Sequence, residues 1–267
     1  MSDSLLYLSF VLTTVTYTGA CIGYCWFLAS GNASAKAWGG RLLVVTALLH
    51  TSFLTLDLGH HPSFGDVRQM LTVASLAIVL AQLLAQHFGR LAILGAFITP
   101  MAFLMFLAAG LGHSVPNVPE EVRTALLPAH VLVNVLGVAA FTLAFAVATA
   151  YLIQERLLRR RQLSGLFTRL PPLDVLDSLG LRLLLVGFPL FTLGMVSGAI
   201  WAARLPASLS LTQVIGLVAW AVFGAVLLLR VAAGWQGKRA AIGTLLGFAL
   251  ALAVLIGYAL REVPGVS

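Results

Sequence analysis

Long apolar runs separated by short polar segments dominate the sequence. Eight of these runs approach the roughly 20 apolar residues that a membrane-spanning helix needs. They cover residues 5–29, 38–58, 70–86, 91–110, 125–153, 183–203, 211–230 and 240–260. The pattern predicts an all-α, polytopic membrane protein: one bundle of eight transmembrane helices that occupies residues 1–267 without a separate soluble domain.

The composition supports this assignment. Hydrophobic residues make up 60% of the chain and charged residues 9%, whereas soluble domains carry about 25% charged residues. The first run lacks the basic start and small-residue cleavage site of a secretory signal peptide, so we expect it to remain as a span. The lipid bilayer is therefore the first predicted partner.

The positions of the basic residues predict the topology. With the N-terminus outside, the inner side receives twelve of the sixteen Lys and Arg residues: Lys36, Arg41, Arg90, Arg156, Arg159, Arg160, Arg161, Arg169, Arg182, Arg230, Lys238 and Arg239. Only Arg68, Arg123, Arg204 and Arg261 stay outside. The positive-inside rule then places both termini on the outer, extracytoplasmic side. Because these charges are dispersed over loops, the net charge of +7 does not indicate a nucleic-acid partner.

Three polar segments interrupt the spans more widely than the rest. Two are predicted outer loops, at 59–68 and 111–124, and the third is a cytoplasmic loop at 154–182. The cytoplasmic loop contains the run Arg159, Arg160 and Arg161. Such a run is typical of a topology anchor near anionic lipid headgroups, and a docking site for a protein is the alternative.

Two histidines lie inside apolar runs, where ionisable groups are costly and mark candidate functional sites. His50 shares a helical face with Thr46 and Asp57, and His130 with Asn134. Imidazole is a common ligand of metals and of haem iron, and it needs a nearby acceptor to fix its tautomer. Asp57 and Asn134 are candidate acceptors. The alternative is that each histidine makes one interhelical hydrogen bond and binds nothing.

Other kinds of site receive less support. No Asp or Glu lies in the middle of a predicted span, which argues against a proton relay or an ion-coupled transporter. The sequence offers no nucleophile with an adjacent base and no phosphate loop, so we do not expect an enzyme.

Three stretches resemble the cytochrome c assembly protein superfamily: "HVLVNVLGVAAFTLAFAVATAYLIQERLL" from His130, "LPPLDVLDSLGLRLLLVGFPLFTLGMVSGAIWA", and "GWQGKRAAIGTLLGFALALAVLIGY". The similarity covers nearly the whole chain. It implies a haem-handling bundle of eight spans in the bacterial cytoplasmic (inner) membrane, with other cytochrome maturation proteins as possible partners. His50 matches the histidine of the second span and His130 the one that opens the fifth. The resemblance thus implies that both are axial ligands of a non-covalently bound b-type haem.

One departure from the family pattern narrows the function that the resemblance implies. Haem-delivering members follow the span that contains Trp201 with a tryptophan-rich loop, whereas this chain continues "AARLPASLSLTQVIG". The sequence is therefore more similar to the HemX-like and YpjD-like branch, which implies haem transport or storage rather than cytochrome c synthesis. Asn134, Trp201 and Tyr17 are further pocket candidates. Arg123 or Arg204 is predicted to pair with the haem propionates, and His60, His61 or His113 is an alternative ligand.

Two rival functions follow from the same branch. HemX-like members suggest a membrane scaffold that regulates haem biosynthesis by docking glutamyl-tRNA reductase, here through the basic loop between Arg156 and Arg182. YpjD-like members suggest divalent-metal efflux, for which His50, Asp57, His60 and His61 would bind the cation.

Overall fold

A computed structural model describes residues 2–60, 67–87, 89–111, 126–202 and 210–261, and these residues contain helices and turns but no strand. The helices are α1 (Ser2–Ser30), α2 (Ala33–His60), α3 (Val67–Gln86), α4 (Gly95–Leu111), α5 (Leu126–Arg159), α6 (Leu166–Arg169), α7 (Leu173–Ala202), α8 (Leu211–Ala232) and α9 (Lys238–Arg261). Within the described ranges, eight helices have the length and apolar composition to cross a membrane. The predicted all-α class and the eight spans are confirmed.

The predicted loop at 154–182 is wrong over most of its length. Helix α5 continues to Arg159 and α7 begins at Leu173, so only a short segment containing α6 separates them. A fall in hydropathy indicates where the chain leaves the lipid. A helix can nevertheless extend beyond the lipid when charged residues stabilise its end. Arg156 and Arg159 lie in the last turn of α5, and Asp174 lies in the first turn of α7. Each charge has the sign that the helix dipole favours there.

The fourth span covers the predicted residues 91–110. Its first residues form a 3₁₀ helix, Gly89–Leu94, and the α-helix begins at Gly95. Short 3₁₀ segments are frequent at the ends of α-helices. Pro100 lies inside α4 and Pro189 inside α7.

Packing divides the helices into two groups joined by α5. The first core is built mainly by α1 to α4 and includes Tyr17, Tyr24 and Phe106, all fully buried. The second core joins α5, α7, α8 and α9 around Phe141 and Phe223, whose rings stack with centroids 3.8 Å apart. Many apolar side chains on the outer surfaces remain exposed. That distribution fits a protein surrounded by lipid rather than water.

Helices α1 and α2 approach closely because glycines face each other. A Cβ on Gly23 would lie 2.7 Å from the Cα of Gly39, so neither position has room for a side chain. Small residues at such contacts are the usual device for helix association in membranes, where lipid leaves no hydrophobic driving force between helices.

The segment between α5 and α7 is fastened to α1. Arg169 of α6 donates hydrogen bonds of 2.9, 2.7 and 2.9 Å to the carbonyl oxygens of Leu28, Ala29 and Ser30. These carbonyls belong to the last turn of α1, where helical partners are missing. Gln154 Nε2 also donates to a backbone carbonyl of α6, that of Phe167, at 3.1 Å. The short loop is thus anchored at two points.

The motif stretches that carry the family resemblance contact one another. Asp177 accepts hydrogen bonds from Arg230 Nη2 at 2.8 Å and from the backbone N–H of Gly237 at 2.9 Å. Gly237 has a φ of 72°, which glycine adopts without strain. A single carboxylate therefore joins α7 to both ends of the turn between α8 and α9.

Candidate functional site

His50 lies in α2 and is fully buried within the first core. Its Nδ1 is 3.2 Å from the Tyr17 hydroxyl of α1, and that hydroxyl is 2.9 Å from Ser75 Oγ of α3. Ser75 Oγ in turn donates to the Ala102 carbonyl of α4 at 2.7 Å. A chain of hydrogen bonds therefore links His50 to each of the other helices of the first group.

The rest of the imidazole meets apolar atoms. The ring of Phe106 packs edge-on against His50, with centroids 4.6 Å apart. His50 Nε2 is buried and makes no hydrogen bond to the described residues. A buried polar atom without a partner is uncommon in folded proteins and calls for an explanation such as a ligand site.

Asp57 shares the buried face of α2 with Thr46 and His50, as the spacing predicts; all three are at most 1% exposed. The predicted role of Asp57 as an acceptor for a histidine finds no support, because its carboxylate forms an ion pair with Arg68, and His50 has Tyr17 instead. The outer loop predicted at 59–68 is shorter than expected, since Arg68 lies in the first turn of α3.

His130 lies near the start of α5 and is partly buried. Its Nδ1 is 2.7 Å from Ser197 Oγ of α7. Asn134, one turn further along α5, donates from Nδ2 to the backbone carbonyl of His130 at 2.7 Å. Asn134 therefore contacts the backbone of His130, and Ser197 contacts the ring.

Two glycines of α7 make room for this pair. A Cβ on Gly194 would lie 2.5 Å from Asn134 Oδ1, and a Cβ on Gly198 would lie 3.6 Å from His130 Cε1. The spacing of these glycines predicts a close helix contact, and the structure places His130 and Asn134 directly opposite them. The glycine pair thus belongs to the candidate site.

The two histidines have separate surroundings. The side chains described around His50 come from α1, α3 and α4, whereas those around His130 come from α7. Helix α5 packs against both groups. A ligand that contacts both imidazoles would have to lie between α2 and α5.

Several candidate residues or their side chains lie outside the part of the chain that the structure describes. The side chain of Trp201 is not described, and His61, His113, Arg123 and Arg204 lie outside the described residues. His60 is described, and its Nδ1 hydrogen-bonds the Leu56 carbonyl at 2.7 Å. Among the described residues, no three His, Cys, Asp or Glu side chains come together as a metal site would require.

Sequence reasoning missed three partners of the site. Ser75 contacts the Tyr17 hydroxyl beside His50, Ser197 contacts His130, and Arg68 contacts Asp57. A weak pattern existed for α3, where polar residues recur at helical spacing at positions 68, 72 and 75. Ser197 had no such pattern, because a serine in an apolar helix is usually bonded to its own backbone.

The chain is similar to known proteins over most of its length. The family described as "Cytochrome C assembly protein" matches residues 64–262. "Cytochrome c biogenesis protein CcsA" of Prochlorococcus marinus (strain NATL1A) is 31% identical over 273 residues, which cover 87% of this chain and 84% of that protein. The proteins of the same name from Synechococcus sp. (strain CC9605) and Parasynechococcus marenigrum (strain WH8102) are both 32% identical. They cover 85% and 86% of this chain, and 85% and 87% of their own lengths.

These matches agree with the resemblance of the motif stretches to the cytochrome c assembly protein superfamily. They do not separate the HemX-like and YpjD-like branch from the rest of the superfamily. The assignment to the family as a whole is secure, because both the family match and the relatives extend over most of the chain. This multi-pass membrane protein belongs to the cytochrome c assembly protein family.

Proposed function

We propose that this protein binds haem within the membrane for cytochrome c biogenesis, with His50 and His130 as axial ligands of a non-covalently bound b-type haem. The similarity to CcsA proteins over 84% or more of their length supports the biological role. The proposal places both termini outside the bacterial cytoplasmic membrane, as the distribution of Lys and Arg favours. Transport or storage of haem is the finer role that the departure after Trp201 favours.

The observation that carries the proposal is the Nε2 atom of His50. It is a buried imidazole nitrogen that makes no hydrogen bond within the described part of the chain, in a bundle whose relatives are named for cytochrome c biogenesis. Haem iron would supply the partner that this nitrogen lacks, because histidine is a common axial ligand of haem. The donor chemistry of His50 therefore suits an axial ligand of haem iron.

Bound haem would supply the iron and a large apolar ring suited to a lipid-embedded pocket. The protein's own contribution is to hold the two imidazoles and to exclude water around them. His130 is partly exposed, whereas His50 is fully buried. We therefore propose that haem meets His130 first, and that coordination by His50 requires displacement of neighbouring side chains such as Phe106.

Haem titration of the purified chain in lipid nanodiscs tests this proposal. Wild type is expected to develop a Soret band that saturates with added ferric haem, and the His50→Ala, His130→Ala double variant is expected to lose it. His87→Ala is the matched control, because His87 is exposed at the end of α3. Failure of wild type to bind haem, or unchanged binding by the double variant, would overturn the proposal.

A second candidate is the regulatory scaffold. Its support is the exposed basic surface at the end of α5, where the side chain of Arg159 is 72% exposed and Arg160 and Arg161 are also exposed. Arg169 is excluded from this surface, because it caps α1. Pull-down of glutamyl-tRNA reductase by wild type, lost when residues 159–161 become glutamate and kept in the histidine double variant, would favour the scaffold. Capture that survives the charge reversal would count against it.

The metal-efflux candidate gains no support from the described geometry. Asp57 is paired with Arg68, and His60 is bonded to its own helix. Among the described residues, no three His, Cys, Asp or Glu side chains come together as a cation site would require.

A further inference from the structure

We infer that the C-terminal end of α5 binds the headgroup of an anionic phospholipid. The site consists of the exposed guanidinium groups of Arg159, Arg160 and Arg161, flanked by the exposed side chains of Leu158 and Leu163. We call these five residues the arginine turn. It lies at the opposite end of α5 from the proposed haem ligand, and the inference does not depend on haem.

Basic residues dominate this part of the chain. Residues 155–161 contain four arginines and one glutamate, so the segment carries a net positive charge. Arg159 Nη2 lies 2.8 Å from Glu155 Oε1, yet the side chain of Arg159 stays 72% exposed. Clusters of four or more basic residues beside a membrane-spanning helix are typical of sites for anionic lipids.

The backbone of Arg161 adopts a conformation that glycine prefers. Its φ is 57°, and it is the only residue other than glycine with a positive φ in the part of the chain that the structure describes. The Gln162 N–H donates to the Leu157 carbonyl at 3.0 Å. The Arg161 N–H donates to the Leu158 carbonyl, also at 3.0 Å. These two hydrogen bonds define a Schellman motif, whose left-handed position is usually glycine.

Helix α8 ends in a similar way but with glycine at this position. Gly234 has a φ of 65°, and the next N–H, that of Trp235, donates to the Leu229 carbonyl at 3.0 Å. A side chain in the left-handed conformation costs free energy that glycine avoids. Arg161 is therefore unfavourable for folding compared with glycine. Strain of this kind indicates a use for the side chain that causes it.

The arginine turn lies at the level of the lipid headgroups. Gln154 is the first residue after the apolar run of α5. Arg159 follows five residues later, which corresponds to about 7.5 Å along a helix. The headgroup layer on each side of a bilayer is about 5–8 Å thick. With Gln154 at the edge of the hydrocarbon, Arg159 reaches the level of the phosphates.

The chain then returns towards the bundle instead of extending into water. Gln154 Nε2 donates to the Phe167 carbonyl at 3.1 Å, so Phe167 lies at the level of Gln154 again. Arg169 is fastened to the last turn of α1. The residues between Arg159 and Phe167 are thus held close to the membrane end of the bundle.

The exposed leucines favour a phospholipid over other anionic partners. Leu158 is 45% exposed and Leu163 is 55% exposed, directly beside the arginines. Arginine binds phosphate through parallel N–H···O hydrogen bonds, and large apolar side chains beside basic residues bind the boundary between headgroups and acyl chains. A free phosphate would use the arginines alone. A phospholipid uses both kinds of side chain.

Native mass spectrometry of the full-length protein in an uncharged detergent tests the site. Phosphatidylglycerol and phosphatidylcholine are titrated separately, and wild type is expected to bind phosphatidylglycerol more tightly. The Arg159→Gln, Arg160→Gln, Arg161→Gln triple variant is expected to lose this preference. Equal affinity of wild type for the two lipids, or a preference that survives in the triple variant, would overturn the inference.

Single substitutions of Arg161 separate its charge from its backbone strain. Arg161→Lys keeps both, Arg161→Ala keeps the strain without the charge, and Arg161→Gly removes both. The alanine and glycine variants should bind phosphatidylglycerol about fivefold more weakly, because one arginine near an anionic surface contributes about 1 kcal/mol. The lysine variant should match wild type. Arg41→Gln is the matched control, since it removes an exposed arginine from α2; an equal loss there would show that only net charge matters and would refute a site at α5.

Thermal unfolding in phosphatidylcholine nanodiscs provides the second readout. Arg161→Gly is expected to raise Tm by about 2–4 °C, because glycine adopts the left-handed conformation without strain. Arg161→Ala and Arg161→Lys should leave Tm unchanged. The inference therefore predicts a glycine variant that is more stable but binds phosphatidylglycerol more weakly. A glycine variant with wild-type affinity for phosphatidylglycerol would contradict it.

A soluble protein is the other candidate occupant of the arginine turn. If the triple variant keeps the lipid preference but loses capture of glutamyl-tRNA reductase, the surface docks a protein and this inference fails. The His50→Ala, His130→Ala double variant should keep the wild-type preference for phosphatidylglycerol. Loss of haem binding in that variant with unchanged lipid binding would show that the two sites are separate.

Discussion

Substitution of Gly194 by alanine should destabilise the contact between α5 and α7. The new Cβ would lie 2.5 Å from Asn134 Oδ1, 2.9 Å from its Cγ and 3.0 Å from its Nδ2. All three distances are below ordinary contact, so the amide of Asn134 must move. It then loses the 2.7 Å hydrogen bond that it donates to the His130 carbonyl.

The magnitude follows from three terms. Overpacking costs about 1–3 kcal/mol, and the lost hydrogen bond costs about 0.5–1.5 kcal/mol. Alanine is favoured over glycine in a helix by about 1 kcal/mol, which offsets part of the loss. We therefore expect the free energy of unfolding to fall by about 0.5–3.5 kcal/mol overall.

Gly198→Ala is the matched control, because its Cβ would meet His130 Cε1 at an ordinary 3.6 Å. It should be neutral or slightly stabilising. Asn134→Ala removes the obstacle, so Gly194→Ala should cost little in that background, with a coupling energy of about 1–2 kcal/mol in the double-mutant cycle. Equilibrium unfolding in mixed micelles, followed by circular dichroism, measures all four variants. Equal stability of the two glycine variants, or a cycle without coupling, would refute the reasoning.

Three further substitutions test other contacts. Asp57→Ala should lower the free energy of unfolding by about 3–5 kcal/mol, because it breaks a buried ion pair with Arg68; a loss below 1 kcal/mol in the same unfolding assay would contradict a buried pair. Arg169→Ala should speed amide exchange at the end of α1, which mass spectrometry detects, and unchanged exchange there would show that the cap is dispensable. Asp177→Ala and Arg230→Ala should be non-additive in thermal unfolding because they share one contact, and additive losses would refute that.

The spans could be predicted from the sequence because lipid leaves the backbone few alternatives to a helix, and twenty apolar residues in a row are easily recognised. The C-terminal end of α5 and the N-terminal end of α7 could not be predicted in this way. They extend beyond the lipid-compatible run, and charged residues such as Arg159 and Asp174 stabilise these extensions. A hydropathy pattern predicts a loop wherever such charged residues occur. The helix dipole, however, favours these charges at the ends of helices.

The candidate site was predictable where local periodicity decides and not where tertiary contacts decide. Spacing on α2 placed His50 and Asp57 on one buried face, which the structure confirms. It could not show that Asp57 would bind Arg68, or that the hydroxyl of Tyr17, 33 residues before His50, would lie within hydrogen-bond distance of the His50 ring. Those pairings depend on how α1, α2 and α3 pack together, and an individual sequence carries little information on that.

Electron paramagnetic resonance of the ferric haem complex tests the central claim most directly, because it reports the axial ligands of the iron. With His50 and His130 both bound, wild type should give a low-spin, bis-imidazole spectrum at one haem per chain. Each single alanine variant should give a high-spin spectrum, and His87→Ala should match wild type. A low-spin bis-imidazole spectrum that persists in either His50→Ala or His130→Ala would contradict the account.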